Sequence, residues 1–214
     1  MTPSRKLQVG IELARGLMTA LRDPAFLPGV YPSLFNEGIR EGALHATMLS
    51  ALVLVGARLG FTPICDAPVF DELHLALTGD ASKRPDAVWL DRDERRIRGL
   101  IEFERYSLQS LAPKAKNLLL MGAAAGPQLD LAVLAYWVYG QVTHRALEDA
   151  AATFAHGFVH ASGATFRRLD CLSLIVEFRV TATTSNRVAL GDIEPRMAVA
   201  AGEDKPYLLA DLTQ

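Results

Sequence analysis

Cysteine is scarce in this sequence of 214 residues, where only Cys65 and Cys171 occur. Two cysteines so far apart are too few for a disulfide framework and lack the spacing of a zinc knuckle. Long hydrophobic runs are also missing, because the richest apolar stretches stop after about a dozen residues, short of the length that spans a membrane. The charged N-terminal stretch lacks the apolar core of a signal peptide. We therefore expect a cytoplasmic protein with reduced thiols and no membrane contact.

Positive charge is not in excess, since 22 Lys and Arg stand against 24 Asp and Glu, which gives a net charge of −2. A protein that coats nucleic acid without discrimination carries a strong basic footprint, so the sequence excludes that class. Any binding of nucleic acid must be local. Half of the residues are apolar, which is enough to enclose a packed core and excludes a disordered or fibrous chain.

Two helices are predicted in the first 60 residues. Residues 5–22 have the periodicity of an amphipathic helix, which the prolines of residues 23–33 then end. Ser33 has the position of an N-cap for a second helix that reaches about residue 60. The i, i+4 spacing along this helix gives one side three polar residues that can point together at a neighbouring site, namely Glu37, Glu41 and His45.

Strand patterns dominate the next segment. Residues 61–73 and 85–90 favour strands, and residues 91–96 look like a hairpin tip that leads into a strand at 97–106. The alternation in this last strand places Leu100, Glu102 and Glu104 on one face. Carboxylates thus stand where a core strand would carry apolar groups. A helix at 111–124 and an apolar strand at 129–139 complete the order αβββαβ.

The pattern is weaker after residue 140. We predict an Ala-rich helix near residues 144–159, a β-rich run at 171–180, and a polar tail with no clear signal. The predicted fold class is α/β, with a central mixed β-sheet flanked by helices. Residues 1–214 are predicted to form a single domain, with a core at 33–140, an N-terminal helical extension at 1–32 and a C-terminal α/β extension at 141–214.

Three acidic residues lie on two of these predicted strands, at positions that adjacent pairing would bring together. Pro85 and Asp86 open one strand, and Glu102, Phe103 and Glu104 lie within the next, with fifteen residues between Asp86 and Glu102. Adjacent strands can hold such carboxylates a few ångströms apart, and hard oxygen ligands with open coordination positions suit Mg²⁺ or Mn²⁺. A divalent cation also removes the repulsion between the carboxylates. We therefore predict an acidic, metal-binding centre.

This pattern resembles the motif of the PD-(D/E)XK nuclease superfamily, and the resemblance covers about residues 33–140. It implies a restriction-endonuclease-like core and metal-dependent hydrolysis of DNA phosphodiester bonds. In that reading Asp86 and Glu102 bind Mg²⁺ or Mn²⁺, and the Phe103 carbonyl adds a ligand. Many such families take a further acidic residue from the first helix, and Glu41 matches that placement better than Glu37. A homodimer is compatible with the sequence.

The last motif position departs from the family, because Glu104 stands where a lysine is usual. A carboxylate there could orient water, accept its proton or join the shell of a metal. Alternatively, a nearby cation supplies the missing charge. The sequence does not choose among the three candidates for that cation, which are Arg105, Lys114 and Lys116.

Two other functions remain open at this point. The chain could be a non-catalytic DNA-binding or protein-interaction module that keeps the fold, or a hydrolase that acts on a small phosphate ester. Metal binding separates the first of these from a nuclease, and a narrow pocket would favour the second. His45 and His74 are interpreted as core or surface histidines rather than ligands.

Overall fold

The computed structural model describes residues 5–65, 84–94, 96–106, 111–140 and 144–200. The segments at 66–83, which include His74, and at 201–214 lie outside this range. The helices are α1 (Arg5–Arg22), α2 (Leu27–Val30), α3 (Pro32–Phe35), α4 (Glu41–Arg58), α5 (Leu111–Ala125) and α6 (His144–His156). The strands are β1 (Ile39–Arg40), β2 (Thr62–Cys65), β3 (Ala87–Leu90), β4 (Ile97–Arg105), β5 (Leu131–Tyr139), β6 (Phe158–Val159), β7 (Thr165–Phe166), β8 (Leu172–Thr184) and β9 (Arg187–Val199).

Seven of these strands form one mixed sheet in the order β1-β9-β8-β5-β4-β3-β2. Strands β4, β5 and β8 are parallel, whereas β3 and β9 run antiparallel to their neighbours β4 and β8. The C-terminal ends of the three parallel strands therefore meet the starts of β3 and β9 at one end of the sheet. We call this the carboxyl end. The predicted α/β class with a mixed sheet is confirmed.

Helices cover both faces of the sheet. Buried apolar side chains from α1 and α4 pack with Ile101 and Phe103 on one face, and those from α5 and α6 pack with Leu100 on the other. The alternation predicted for β4 is thereby confirmed. Helix α4 approaches the sheet closely at Gly56, where a Cβ atom would overlap the Trp89 ring. Among the described helices, none combines the length and the apolar character that a membrane crossing requires.

The predicted continuous helix from Ser33 to about residue 60 is wrong. Gly38 has a φ of +74°, a left-handed conformation that a helix cannot accommodate, and residues 39–40 pair with β9 instead. Ser33 therefore lies inside the short helix α3 and does not cap α4, which begins at Glu41. Glu37 lies in a turn before β1 and does not share a helix with Glu41.

Other predicted elements agree with the structure more closely. The predicted tip contains a turn at residues 92–94, and the Asp91 amide donates to the Arg96 carbonyl at 3.0 Å. Helix α6 ends three residues early, because Gly157 adopts a φ of +75°. Strands β1, β6, β7 and β9 were not predicted. The strand predicted at residues 85–90 is observed as β3, which among the described strands lies second from one edge of the sheet.

Candidate active site

The predicted acidic residues of β3 and β4 meet at the carboxyl end of the sheet. Asp86 lies one residue before β3, and the antiparallel register that pairs Ala87 with Ile101 extends to place it beside Glu102. Its Oδ2 atom accepts a hydrogen bond of 2.6 Å from the Phe103 amide. Asp86 is thus tied to the strand that carries both glutamates. The structure brings together four of the five residues predicted for the site, and Glu41 is the fifth.

Lys114 supplies a positive charge to the two glutamates of the motif. This residue lies in the first turn of α5, and its Nζ atom is 3.0 Å from Glu102 Oε2 and 3.2 Å from Glu104 Oε2. The other two candidate cations lie elsewhere. Arg105 pairs with Glu41 at 2.8 Å, and Lys116 lies 5.7 Å from the centre of the Phe158 ring.

His45 approaches the same site from the opposite face of the sheet. Its Nε2 atom lies 3.0 Å from the Phe103 carbonyl oxygen and 3.8 Å from Asp86 Oδ1. A carbonyl oxygen only accepts hydrogen bonds, so Nε2 carries the proton in this contact. The interpretation of His45 as a core or surface histidine missed this contact. The available signal was its i, i+4 spacing from Glu41, which places both residues on one side of α4.

Glu41 contacts residues at the ends of β4 and β5, and not Asp86 or Glu102. Its carboxylate pairs with Arg105 at 2.8 Å and accepts a hydrogen bond of 3.1 Å from the Tyr139 hydroxyl. The Arg105 guanidinium in turn lies over the Trp137 ring, 5.0 Å from its centre. Glu41 therefore fixes the start of α4, one turn before His45, and its catalytic role stays a prediction.

Burial sets the electrostatics of the acidic pair. Glu102 is 2% exposed, and this burial raises its pKa to about 7 despite the attraction of Lys114. Burial likewise raises the pKa of Asp86, against the stabilising Phe103 amide. Burial alone would lower the pKa of Lys114, but the carboxylates of Glu102 and Glu104 outweigh it and raise that pKa. Extra positive charge at this site would therefore be stabilising.

A divalent cation fits this set of donors. No group of three or more His, Cys, Asp or Glu side chains in the described segments is arranged to hold a metal. Mg²⁺, however, is commonly held by one or two carboxylates and keeps several waters. Asp86 and Glu102 offer two such carboxylates, and the Phe103 carbonyl has a second lone pair beside the one that faces His45. The hard oxygen donors are those that Mg²⁺ and Mn²⁺ prefer.

A second buried carboxylate lies on the same face of the sheet. The strand registers align Glu104 with Tyr136 and Tyr136 with Glu177, and the Tyr136 hydroxyl donates to Glu177 Oε2 at 2.6 Å. Arg179 Nε pairs with the other Glu177 oxygen at 2.8 Å. This network fixes Tyr136 beside Glu104. The sequence analysis missed it, because Glu177 lies within an apolar run that predicted only a strand.

Comparisons of the chain with protein-family models, with curated proteins and with solved structures found no match. Its function is therefore inferred from the geometry of this site.

Proposed function

We propose that this protein is a metal-dependent nuclease that hydrolyses DNA phosphodiester bonds, with a restriction-endonuclease-like core of the PD-(D/E)XK type. The observation that carries this proposal is the position of the Lys114 ammonium, 3.0 Å from Glu102 and 3.2 Å from Glu104. The lysine that the strand motif lacks is supplied by helix α5. The resemblance predicted from Asp86 and the ExE sequence is thus supported by a complete set of charged groups.

Each residue has a part in this proposal. Asp86, Glu102 and the Phe103 carbonyl would hold Mg²⁺ or Mn²⁺, which when bound would make water more acidic and polarise the phosphoryl group. Glu104 orients the attacking water and accepts its proton as the water oxygen bonds to phosphorus. The P–O bond to the leaving oxygen breaks in the same displacement, and that oxygen takes a proton from solvent water. The Lys114 ammonium stabilises negative charge that develops on the phosphate. His45 holds the Phe103 carbonyl and the Asp86 carboxylate in place from the other face of the sheet.

Cleavage of labelled duplex and single-stranded DNA in Mg²⁺ or Mn²⁺ tests the proposal. We expect slow cleavage by the wild type and a loss of at least about 10²-fold for Lys114→Met, because removal of one preorganised stabilising group has an effect of this size. Asp86→Asn should be inactive as well. Lys116→Met is the matched control, since it removes a lysine from the same helix without touching Glu102 or Glu104, and it should cleave like the wild type.

Titration of Mn²⁺ by calorimetry tests the metal site separately. Asp86→Ala and Glu102→Ala should each abolish binding, while Glu104→Gln should keep metal affinity and lose turnover. If both alanine variants bind Mn²⁺ like the wild type, the metal site lies elsewhere. If the wild type cuts neither form of DNA in either metal, the nuclease proposal fails and the non-catalytic module becomes the better explanation.

A further inference from the structure

The β8–β9 hairpin extends past its neighbours at the carboxyl end of the sheet. The pairing of β5 with β8 ends at Tyr139 and Val180, whereas β8 continues to Thr184 and β9 begins at Arg187. At about 3.3 Å per residue, the four residues of β8 beyond this point span about 13 Å. We call residues 181–187 the overhang.

The overhang is anchored along its β9 side. Arg187 Nε donates to the Gly38 carbonyl at 3.1 Å, and the Glu41 amide donates to the Asn186 carbonyl at 3.0 Å. These contacts hold it against the segment that leads into α4. Since β8 pairs with β9 along one edge, its other edge is turned toward the ends of β5 and β4. The overhang therefore projects from the same end of the sheet as the candidate active site.

Residues 181–186 of the overhang have small, uncharged side chains, and all of them except Ala182 can form side-chain hydrogen bonds. Residues 181–186 are all exposed, and their sequence is Thr-Ala-Thr-Thr-Ser-Asn. Single-stranded nucleic acid is bound through aromatic stacking and positive charge, and these six residues offer neither. Ser, Thr and Asn side chains instead suit the base edges in a groove, where a threonine methyl can also contact the thymine methyl.

The dimensions fit the major groove of duplex DNA. That groove is about 12 Å wide and about 8.5 Å deep, and it admits a two-stranded β-ribbon. Strand β8 lies two positions from β4 in the sheet, and the registers align Glu104 with Glu177 through Tyr136. The overhang therefore begins about 10 Å to the side of Glu104 and about 13 Å beyond it toward the carboxyl end. When the backbone of a duplex lies at the carboxylates, its major groove can therefore face the overhang. The major groove of duplex RNA is too narrow for side chains to read.

We propose that the overhang enters the major groove of duplex DNA whose backbone lies at the carboxylates, so that duplex DNA is the substrate of this site. The proposal rests on the proposed nuclease function and adds the form of the substrate and the surface that selects it.

Fluorescence anisotropy with the full chain tests this inference, with labelled duplex DNA, single-stranded DNA and duplex RNA in Ca²⁺. Thr181→Glu combined with Thr184→Glu places negative charge in the groove and should weaken binding to duplex DNA at least about tenfold. Binding to single-stranded DNA should change less than about twofold. Thr183 is left intact because its hydroxyl donates to the Glu37 carbonyl at 3.2 Å. Thr165→Glu is the control, since Thr165 is an exposed strand residue that lines a cavity with Gly126 and Cys171.

The outcomes separate this inference from the proposed function. A selective loss on duplex DNA supports it, whereas an equal loss on both forms of DNA, no loss, or the same loss in Thr165→Glu overturns it. If the wild type binds and cuts only single-stranded DNA, or prefers duplex RNA, the overhang proposal fails while phosphodiester hydrolysis stands. If the wild type binds no nucleic acid, both proposals fail. Should circular dichroism show that the glutamate pair is unfolded, Thr181→Ala with Thr184→Ala repeats the test without added charge and must show the same selective loss.

Discussion

Glu104 stands at the motif position where a lysine is usual, and the Lys114 ammonium lies 3.2 Å from its carboxylate, so a charge swap between the two residues tests their pairing. Glu104→Lys alone places a second ammonium where Lys114 Nζ now lies 3.2 Å from a carboxylate oxygen, and like charges at this distance repel. We therefore expect this variant to be inactive, although it restores the residue that is usual in the strand motif. Lys114→Glu should be inactive as well, because it removes the cation.

The combination of Glu104→Lys with Lys114→Glu returns one positive and one negative charge to the site in exchanged positions. We expect the double variant to be more active than either single variant. Such a recovery would show an energetic coupling between two contacting residues, because independent effects would only add. Single-turnover cleavage measures it. A double variant that is no better than the single variants would mean that the position of Lys114, and not only its charge, is required.

The buried carboxyl of Glu102 makes the stability of the metal-free protein depend on pH. Its pKa rises from an ordinary value of 4.5 to about 7 through burial, so the folded state holds this proton more tightly than the unfolded state. Stability is then greatest below the ordinary pKa and falls as pH rises through 7. The shift corresponds to on the order of 3 kcal/mol, and the raised pKa of Asp86 acts in the same direction.

Urea unfolding in EDTA at about pH 5 and about pH 8 measures this effect. We expect the wild type to be less stable at the higher pH, Glu102→Gln to lose most of that difference, and Mn²⁺ to restore wild-type stability at the higher pH by binding only the folded state. Asp23→Asn is a suitable control. The Ala25 amide and Arg58 lower the pKa of Asp23 below its ordinary value, so its contribution to stability does not change between about pH 5 and about pH 8. A wild type that gains stability between these pH values would contradict a raised pKa at Glu102.

Among the elements, the strands that carry the motif and the helix after them were predictable from local pattern. Alternation identified β4, and helical periodicity identified α5. Strand β9 was not predictable, because its pairing with β8 shifts register near Val176, Val180 and Thr184 and Pro195 interrupts its alternation. Strand β1 is two residues long and lies in a sequence with helical spacing, so only its pairing with β9 defines it.

Gly157 ends α6 and allows the chain to turn directly into β6. Its φ is +75°, and a Cβ atom there would overlap the Phe166 carbonyl oxygen. Gly163 has a similar φ of +85°, but an added Cβ meets nothing within 4 Å. Gly163→Ala should cost about 1 to 2 kcal/mol from backbone conformation alone. Gly157→Ala should cost at least about 1 kcal/mol more, because the backbone of β7 must also move. Chemical denaturation of the two variants compares them, and equal losses would mean that β7 yields without cost.

At the scale of the whole molecule, the site depends on contacts that no local pattern contains. Asp86 and Glu102 could be predicted to meet because their strands pair. Lys114 could be named as a candidate but not chosen, since only the packing of α5 on the sheet separates it from Arg105 and Lys116. His45 lies on the other face of the sheet, so its contacts with Phe103 and Asp86 could be predicted only if helices were already placed on both faces.

The small net charge of −2 predicts how the proposed binding of DNA would respond to salt. Each phosphate neutralised contributes about −0.9 to the slope of log affinity against log salt, so binding through a few side chains at the carboxyl end should give a slope no steeper than about −4.

Arg40 is exposed and lies at the base of the overhang, paired in register with Arg187. Arg40→Ala should make the slope shallower by about 1. Arg167→Ala is the control, because Arg167 is exposed and lines a cavity with Gly126 and Cys171 at the opposite end of the sheet. Anisotropy titrations over a range of salt concentrations decide the matter, and a slope that both variants change equally would mean that DNA is bound by diffuse charge and not at the carboxyl end.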